Sequence, residues 1–415
     1  MFRPEKFAAL ILFFGTVIFL TGCGAGVSAG NSINSGSGGP GGQAIPGYGE
    51  GTGASGQTSA AKFLYANPLP GGGPYAADIQ GNGTLTATHS GSVDNLDPET
   101  LAIDPSGSFI FQTAVGNGGA QGGIFVYAIN RSNGSLGNAI GSYLAGQALY
   151  ADVVDNKGKF LYALGASGVY AFSIQSGTGV LTPVPGSPFA AAGASSASYP
   201  LPATLMAVDQ TNQFLYVSTS GGISGYTIDQ NSGALTAIAG APFGTAVTKG
   251  WAIVITPNNS YLYERESQDT KNIYAYSIDQ TTGALAEISG SPFSTGACGT
   301  MVTPGTIGIP GPDNLTIASA GKFMHDNCGI YALSDSTGAI TQVSGSGPGD
   351  WPVIDPTGNF LWALTGDQEA CFSCDIGVTT YSVDANTGAL TPVPNSFLLL
   401  TNTEVGSVDS LAITN

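Results

Sequence analysis

Apolar and polar residues alternate along most of this chain in short runs, and the runs come in pairs. One pair reads Tyr226-Thr227-Ile228-Asp229-Gln230-Asn231-Ser232-Gly233-Ala234-Leu235-Thr236. Period-two alternation on both sides of an Asp…Ser-Gly turn predicts two antiparallel strands. Asp and Ser can bond the turn backbone, and Gly takes a positive φ without steric cost. The same glycine-to-apolar step falls at Gly83-Thr84-Leu85, Gly134-Ser135-Leu136, Gly179-Val180-Leu181, Gly233-Ala234-Leu235, Gly283-Ala284-Leu285, Gly338-Ala339-Ile340 and Gly388-Ala389-Leu390. Its final residues lie 51, 45, 54, 50, 55 and 50 positions apart.

A second hairpin precedes these turns. It is clearest at residues 101–111, Leu-Ala-Ile-Asp-Pro-Ser-Gly-Ser-Phe-Ile-Phe, and returns at 153–162, 206–216, 253–263, 315–324 and 353–362. Two hairpins per unit of roughly 40–50 residues predict an all-β fold, a seven-bladed β-propeller of four-stranded blades. The seventh copy is split. The chain ends in Leu411-Ala412-Ile413-Thr414, the first half of the phrase, and Lys62-Phe63-Leu64-Tyr65 supplies the second half. We therefore expect the C-terminal strand to join three N-terminal strands and shut the ring, which leaves no free sheet edge. An open solenoid has no use for complementary ends.

Upstream of the repeats the pattern changes. Arg3 and Lys6 precede a continuous apolar run over residues 7–20, short for a membrane span and suited to a signal peptide. Leu20-Thr21-Gly22-Cys23 resembles the bacterial lipoprotein box, which implies cleavage before Cys23 and a lipid on its sulfur. An ordinary secretory signal is the alternative. The expected organisation is a signal peptide over 1–22, a Gly/Ser-rich tether over 23–60 and the propeller over 61–415. It places the ring outside the cytoplasm on a membrane through Cys23, on the outer membrane where there are two. A tether of this length spans about 30–35 Å as a random coil.

Composition narrows the partners. The chain has 415 residues, 63 of them glycine, and a net charge of −17. Losing Arg3, Lys6 and Glu5 with the signal leaves −18. Phosphate binding needs clustered Lys and Arg, so nucleic acid is excluded as a partner. No phosphate loop, metal-binding histidine pair or calcium loop is present, and no cofactor or metal is expected.

Four cysteines follow Cys23: Cys298, Cys328, Cys371 and Cys374. Loops joining second to third strands share a face with the blade-to-blade connections, so all four fall on one loop-rich face over blades four to six. In an oxidising compartment disulfides are the default, here Cys298–Cys328 and Cys371–Cys374. A four-cysteine zinc site is the alternative.

Asp355-Pro356-Thr357-Gly358-Asn359-Phe360-Leu361, with Val169-Tyr170-Ala171-Phe172-Ser173-Ile174 leading to Leu181-Thr182, resembles the repeat of the lactonase family. The tails Gly186-Ser187-Pro188-Phe189 and Gly290-Ser291-Pro292-Phe293 are similar to it as well. That resemblance implies a seven-bladed ring and, in its enzymes, a histidine, an acidic residue and arginines on the loop-rich face. The places for the histidine, at 149–152 and 250–253, hold none. A phosphorylated sugar acid would want several converging cations, and Arg265 is the only arginine predicted on that face. Phosphogluconolactone is thereby disfavoured.

Two site readings remain. Glu266, Arg265 and His325 form a candidate catalytic group, with Glu266 or His325 activating water and Arg265 steadying an oxyanion. The competing reading is a charge ladder along a strand. Tyr150, Trp251 and Trp351 each precede an inner strand and form a candidate ligand-binding ring at the channel mouth. There Asp152 and Asp350 are placed to bond sugar hydroxyls, and packing between blades is the competing reading. The function expected is binding of a small molecule, glycan or protein partner on the loop-rich face. The alternative is a lactonase-type hydrolase of a non-phosphorylated lactone.

Overall fold

The structure, a computed structural model, describes residues 62–69, 74–90, 98–116, 122–194, 205–244, 250–266, 272–295, 314–317, 320–345, 347–366, 376–401 and 407–414. The predicted signal, the tether and Cys23 lie outside them. Among the described residues the strands form seven antiparallel sheets, each built on four strands, which follow sequence order across six of them. β1 (Phe63–Leu69), β2 (Tyr75–Ile79) and β3 (Leu85–Ser90) take their fourth strand from the far end of the chain, β30 (Ser407–Ile413). Leu64 pairs with Ile413, Tyr65 with Ala412 and Ala66 with Leu411. The Thr414 N–H donates to the Phe63 carbonyl at 2.9 Å. The expected terminal closure is therefore present.

Blade 1 begins with β4 (Pro98–Ile103) and β5 (Phe109–Val115), and blade 2 with β8 (Leu149–Val154) and β9 (Phe160–Gly165). Their connecting turn is short because one carboxylate ties it. Asp104 Oδ1 accepts from the backbone N–H groups of Ser108 at 2.7 Å and Phe109 at 2.6 Å. Asp155 Oδ1 does the same for Lys159 and Phe160. The Asp of the recurring phrase is thus a backbone cap.

What joins one blade to the next is a triplet on each second strand: an aromatic residue, an aliphatic one, then a second ring. The first ring lies against the glycine of the following blade's outer turn. A Cβ on Gly233 would overlap the Phe160 ring, and the φ there is +75°, so both space and backbone demand glycine. The third residue reaches past it to the glycine's carbonyl. Tyr65 Oη donates to Gly134 at 2.9 Å, Tyr162 to Gly233 at 3.1 Å, Tyr216 to Gly283 at 2.7 Å and Tyr263 to Gly338 at 2.9 Å. Trp362 Nε1 donates to Gly83 at 2.9 Å. Phe111, fully buried, fills the same place without a donor. The seventh seam uses His325, whose Nε2 meets the Gly388 carbonyl at 3.0 Å. The glycine-to-leucine step of the sequence is therefore one half of a lock repeated around the ring.

Candidate functional site

The seams fix which way every second-strand side chain points. Alternation sends successive residues to opposite faces of a blade. The locking ring faces the following blade, and the residue after it faces the preceding one. Beyond the rings, toward the loop-rich face, these positions carry polar groups that meet across the seams. Gln112 Nε2 donates to Asn67 Oδ1 at 2.7 Å, and Ser218 Oγ to Glu264 Oε1 at 2.5 Å.

Between blades 4 and 5 the pair is charged. Arg265 is the last residue but one of β17 (Tyr261–Glu266), Asp326 ends β22 (Phe323–Asp326), and their side chains form an ion pair with no solvent exposure on either side. Asp326 Oδ1 also accepts from the backbone N–H groups of Cys328 at 2.8 Å and Gly329 at 2.7 Å, tying the turn into β23 (Gly329–Leu333). Burial pushes the Asp326 carboxyl up and Arg265 pulls it back down. A second Arg265 nitrogen donates to Cys328 Sγ. Cys328 is disulfide-bonded. It is the only cysteine among the described residues, so its partner lies outside them, where Cys298, Cys371 and Cys374 also fall.

The predicted catalytic group is corrected by this geometry. Arg265 is not offered to a substrate, because its guanidinium is enclosed and holds Asp326. His325 lies on the opposite face of β22 from Asp326 and locks blade 6. A carbonyl only accepts, so Nε2 carries the imidazole proton. Nδ1 is buried with no hydrogen-bond partner, and burial lowers the ring's pKa. Glu266 is placed by its backbone, opposite Gly250, and its side chain lies outside the described residues.

The predicted aromatic ring is corrected in part. Trp351 sits in β25 (Asp350–Ile354), 4% exposed and at φ +46°, and its Nε1 donates to the Leu411 carbonyl at 3.0 Å. It closes a seam and offers no stacking face. Trp251 occupies a register shift between Gly250 and Ala252 in β16 (Gly250–Ile255), with its side chain outside the described residues. Tyr150 is half-buried, and burial together with the Glu99 charge raises its hydroxyl.

The inner strands hold the less expected feature. In register, Leu101, Asp152, Met206, Ile253 and Leu411 lie opposite the residue that follows each locking ring, and Leu315 and Pro352 take the same place in sequence, one residue before Thr316 and Val353, which pair with His325 and Trp362. Six are apolar and one is a carboxylic acid. Thr100 Oγ1 donates to Asp152 Oδ1 at 2.6 Å, accepts the Asp152 N–H at 3.1 Å, and lies 2.8 Å from Thr113 Oγ1. Asp152 Oδ2 is enclosed and has no hydrogen-bond partner. Desolvation raises this carboxyl to about 7 against the pull of the Thr100 bond. Asp350, 7% exposed, is raised by burial to about 6 and accepts from Asn327 Nδ2 at 3.3 Å. Aligning the inner strands by their turn aspartates would have singled out Asp152 from sequence. Among the described residues, no three metal-binding side chains cluster.

Comparison with known proteins fits this architecture. Residues 153–302 match the family model described as lactonase, 7-bladed beta-propeller. No curated protein matches the sequence. Among solved structures, the periplasmic gluconolactonase of Pseudomonas aeruginosa is similar at 15% identity with a TM-score of 0.62, over 86% of this chain and 99% of that one. A protein from Bacteroides fragilis, provisionally named a 6-phosphogluconolactonase, gives the same identity, TM-score and coverage. A protein from Lactobacillus plantarum is similar at 15% identity and a TM-score of 0.62, over 86% and 100%. At such identity the likeness establishes the fold.

Proposed function

We propose that this chain, a seven-bladed β-propeller matched over residues 153–302 by the lactonase family model, is a binding protein of the bacterial cell envelope. It is tethered by lipid on Cys23 and takes its ligand at the loop-rich end of the ring. The observation that carries this reading is the commitment of Arg265 and His325 to seams. Two of the three groups a hydrolase would use are enclosed and occupied. The inner strands also carry two carboxyls raised by burial, Asp152 to about 7 and Asp350 to about 6, and the half-buried Tyr150 lies in the same strand as Asp152. These groups recognise hydroxyls and repel anions. The disulfide at Cys328 supports an oxidising compartment, in keeping with the predicted export signal and with the location in the Pseudomonas neighbour's name.

One assay separates binding from hydrolysis. A panel of non-phosphorylated lactones should show no turnover by the full-length protein. Turnover lost in Glu266→Gln would establish the lactonase alternative, with Glu266 as the base. Metabolic labelling with radioactive fatty acid tests the anchor: incorporation should vanish in Cys23→Ser, and incorporation that survives the substitution would remove the lipid from this reading.

A further inference from the structure

The second nitrogen of Arg265 is a buried donor placed on a poor acceptor. Arg265 has no solvent exposure, and a donor enclosed so deeply costs free energy unless its acceptor is good. One nitrogen meets the Asp326 carboxylate, and the other donates to Cys328 Sγ. A disulfide sulfur is neutral and accepts weakly, whereas a thiolate accepts with a full charge. A second neighbour shows the same mismatch. Asn327 Oδ1 lies 2.8 Å from Cys328 Sγ, and a bonded sulfur has no proton to give it. Both neighbours suit the opened cysteine better than the bonded one, Asn327 as a thiol and Arg265 as a thiolate. Cys328 itself is 1% exposed, so an incoming thiol is kept from its sulfur and must attack the partner cysteine.

We propose that Cys328 is the leaving sulfur of a redox-active disulfide, opened by a dithiol reductant and held open by Arg265. One reductant thiolate attacks the partner sulfur, at Cys298, Cys371 or Cys374, and forms a mixed disulfide with it. The electron pair of the broken S–S bond passes to Cys328 Sγ, which departs as a thiolate beside the guanidinium. The second reductant thiolate then displaces the partner cysteine, and the reductant leaves as its own disulfide. Two electrons have passed from the dithiol to the protein. A leaving thiol of lower pKa departs faster, and an arginine beside the thiolate lowers it. Asp326 opposes a second anion in this enclosure. Its Oδ1 holds the N–H groups of Cys328 and Gly329 and the Tyr331 hydroxyl, the last at 3.2 Å. Burial raises the Asp326 carboxyl against the pull of Arg265, so Asp326 can take a proton as the thiolate forms. The enclosed site then keeps one cation and one anion.

The test starts from the full-length protein treated with dithiothreitol in native buffer and then freed of it. Absorbance at 240 nm followed against pH counts thiolates. Wild type should show one that titrates at least about one unit below the ordinary cysteine value of about 8.5, and it should be missing in Cys328→Ser. Arg265→Lys keeps a cation for Asp326 and lacks the second nitrogen, so the Cys328 titration should move up by about one unit. The wild-type titration decides the matter if that variant does not fold. Brief exposure of the oxidised protein to reduced glutathione, then acid quench and peptide mapping, should find the mixed disulfide on a partner cysteine and none on Cys328. A Cys328 disulfide that opens only in urea would overturn the proposal. So would a Cys328 thiol titrating at or above about 8.5, where burial alone would put it, or a glutathione adduct on Cys328.

Discussion

His325 bonds the Gly388 carbonyl through Nε2 at 3.0 Å, in the place where Tyr263 reaches Gly338 at 2.9 Å one blade earlier. Tyrosine in this seat keeps its proton at any physiological pH. Histidine can gain a second one, and the second falls on a buried nitrogen with no acceptor.

Acid should therefore loosen the seam between blades 5 and 6. The imidazole's pKa is lowered in the folded ring from an ordinary 6.5. Below about 6.5 the unfolded chain binds a proton that the folded chain refuses, so this contribution to stability falls as pH drops. His325→Tyr should flatten that fall. Urea midpoints measured at pH 5 and pH 7.5 check it, and an unchanged slope in the variant would count against the lock.

Asp152 and Asp350 act in the opposite direction. Their folded values are raised to about 7 and about 6. The stability they contribute is present below about 3.9, the unfolded value for aspartate, and is lost as pH rises through those folded values. Asp152→Asn removes the enclosed charge and keeps an oxygen for Thr100. It should stabilise the protein at pH 8 by about 1–3 kcal/mol. Each tenfold change in proton affinity is worth about 1.4 kcal/mol, and the gain is reduced because part of the residue meets water. It should disappear by pH 4 in the same denaturation series.

Breaking the Arg265–Asp326 pair from one side leaves a buried charge. Arg265→Met should cost about 3–5 kcal/mol and lower the thermal midpoint sharply. Adding Asp326→Asn should recover part of the loss, because the stranded carboxylate is gone. A double variant no better than the single one would mean that Asp326 acts chiefly through the Cys328 turn.

Gly233→Ala tests the lock at the seam between blades 2 and 3. Its Cβ would run into the Phe160 ring with the backbone at φ +75°. A loss on the order of 2–3 kcal/mol is expected from overpacking and backbone strain together. Phe160→Leu in the same chain should restore some of it by opening space.

Much of the fold is legible in the sequence, for a physical reason. Glycine at the outer turn is required by a positive φ and by a neighbouring ring, so it returns seven times and gives away the period. The terminal closure is legible because half a hairpin is useless alone. The assignment of charges is not. Arg265 and Asp326 are 61 residues apart, and whether they meet depends on the face each presents, which one residue of register reverses. Trp351 misleads for a similar reason. It follows a loop in sequence but lies inside the inner strand, giving its N–H to Leu411. His325 is open to a correct reading, since Phe323-Met324-His325 aligns with Tyr261-Leu262-Tyr263, and only a search for catalytic histidines makes it look special.

The strands that close the circle are 351 residues apart, among the earliest and the latest of the propeller to be synthesised. Until Ser407–Ile413 is available, the sheet of Phe63 has an open flank that any extended peptide could occupy. The most hazardous interval for this protein is thus the time between the emergence of its first strand and its last. A guardian that covers an exposed strand edge would be needed then, and never after the clasp has shut.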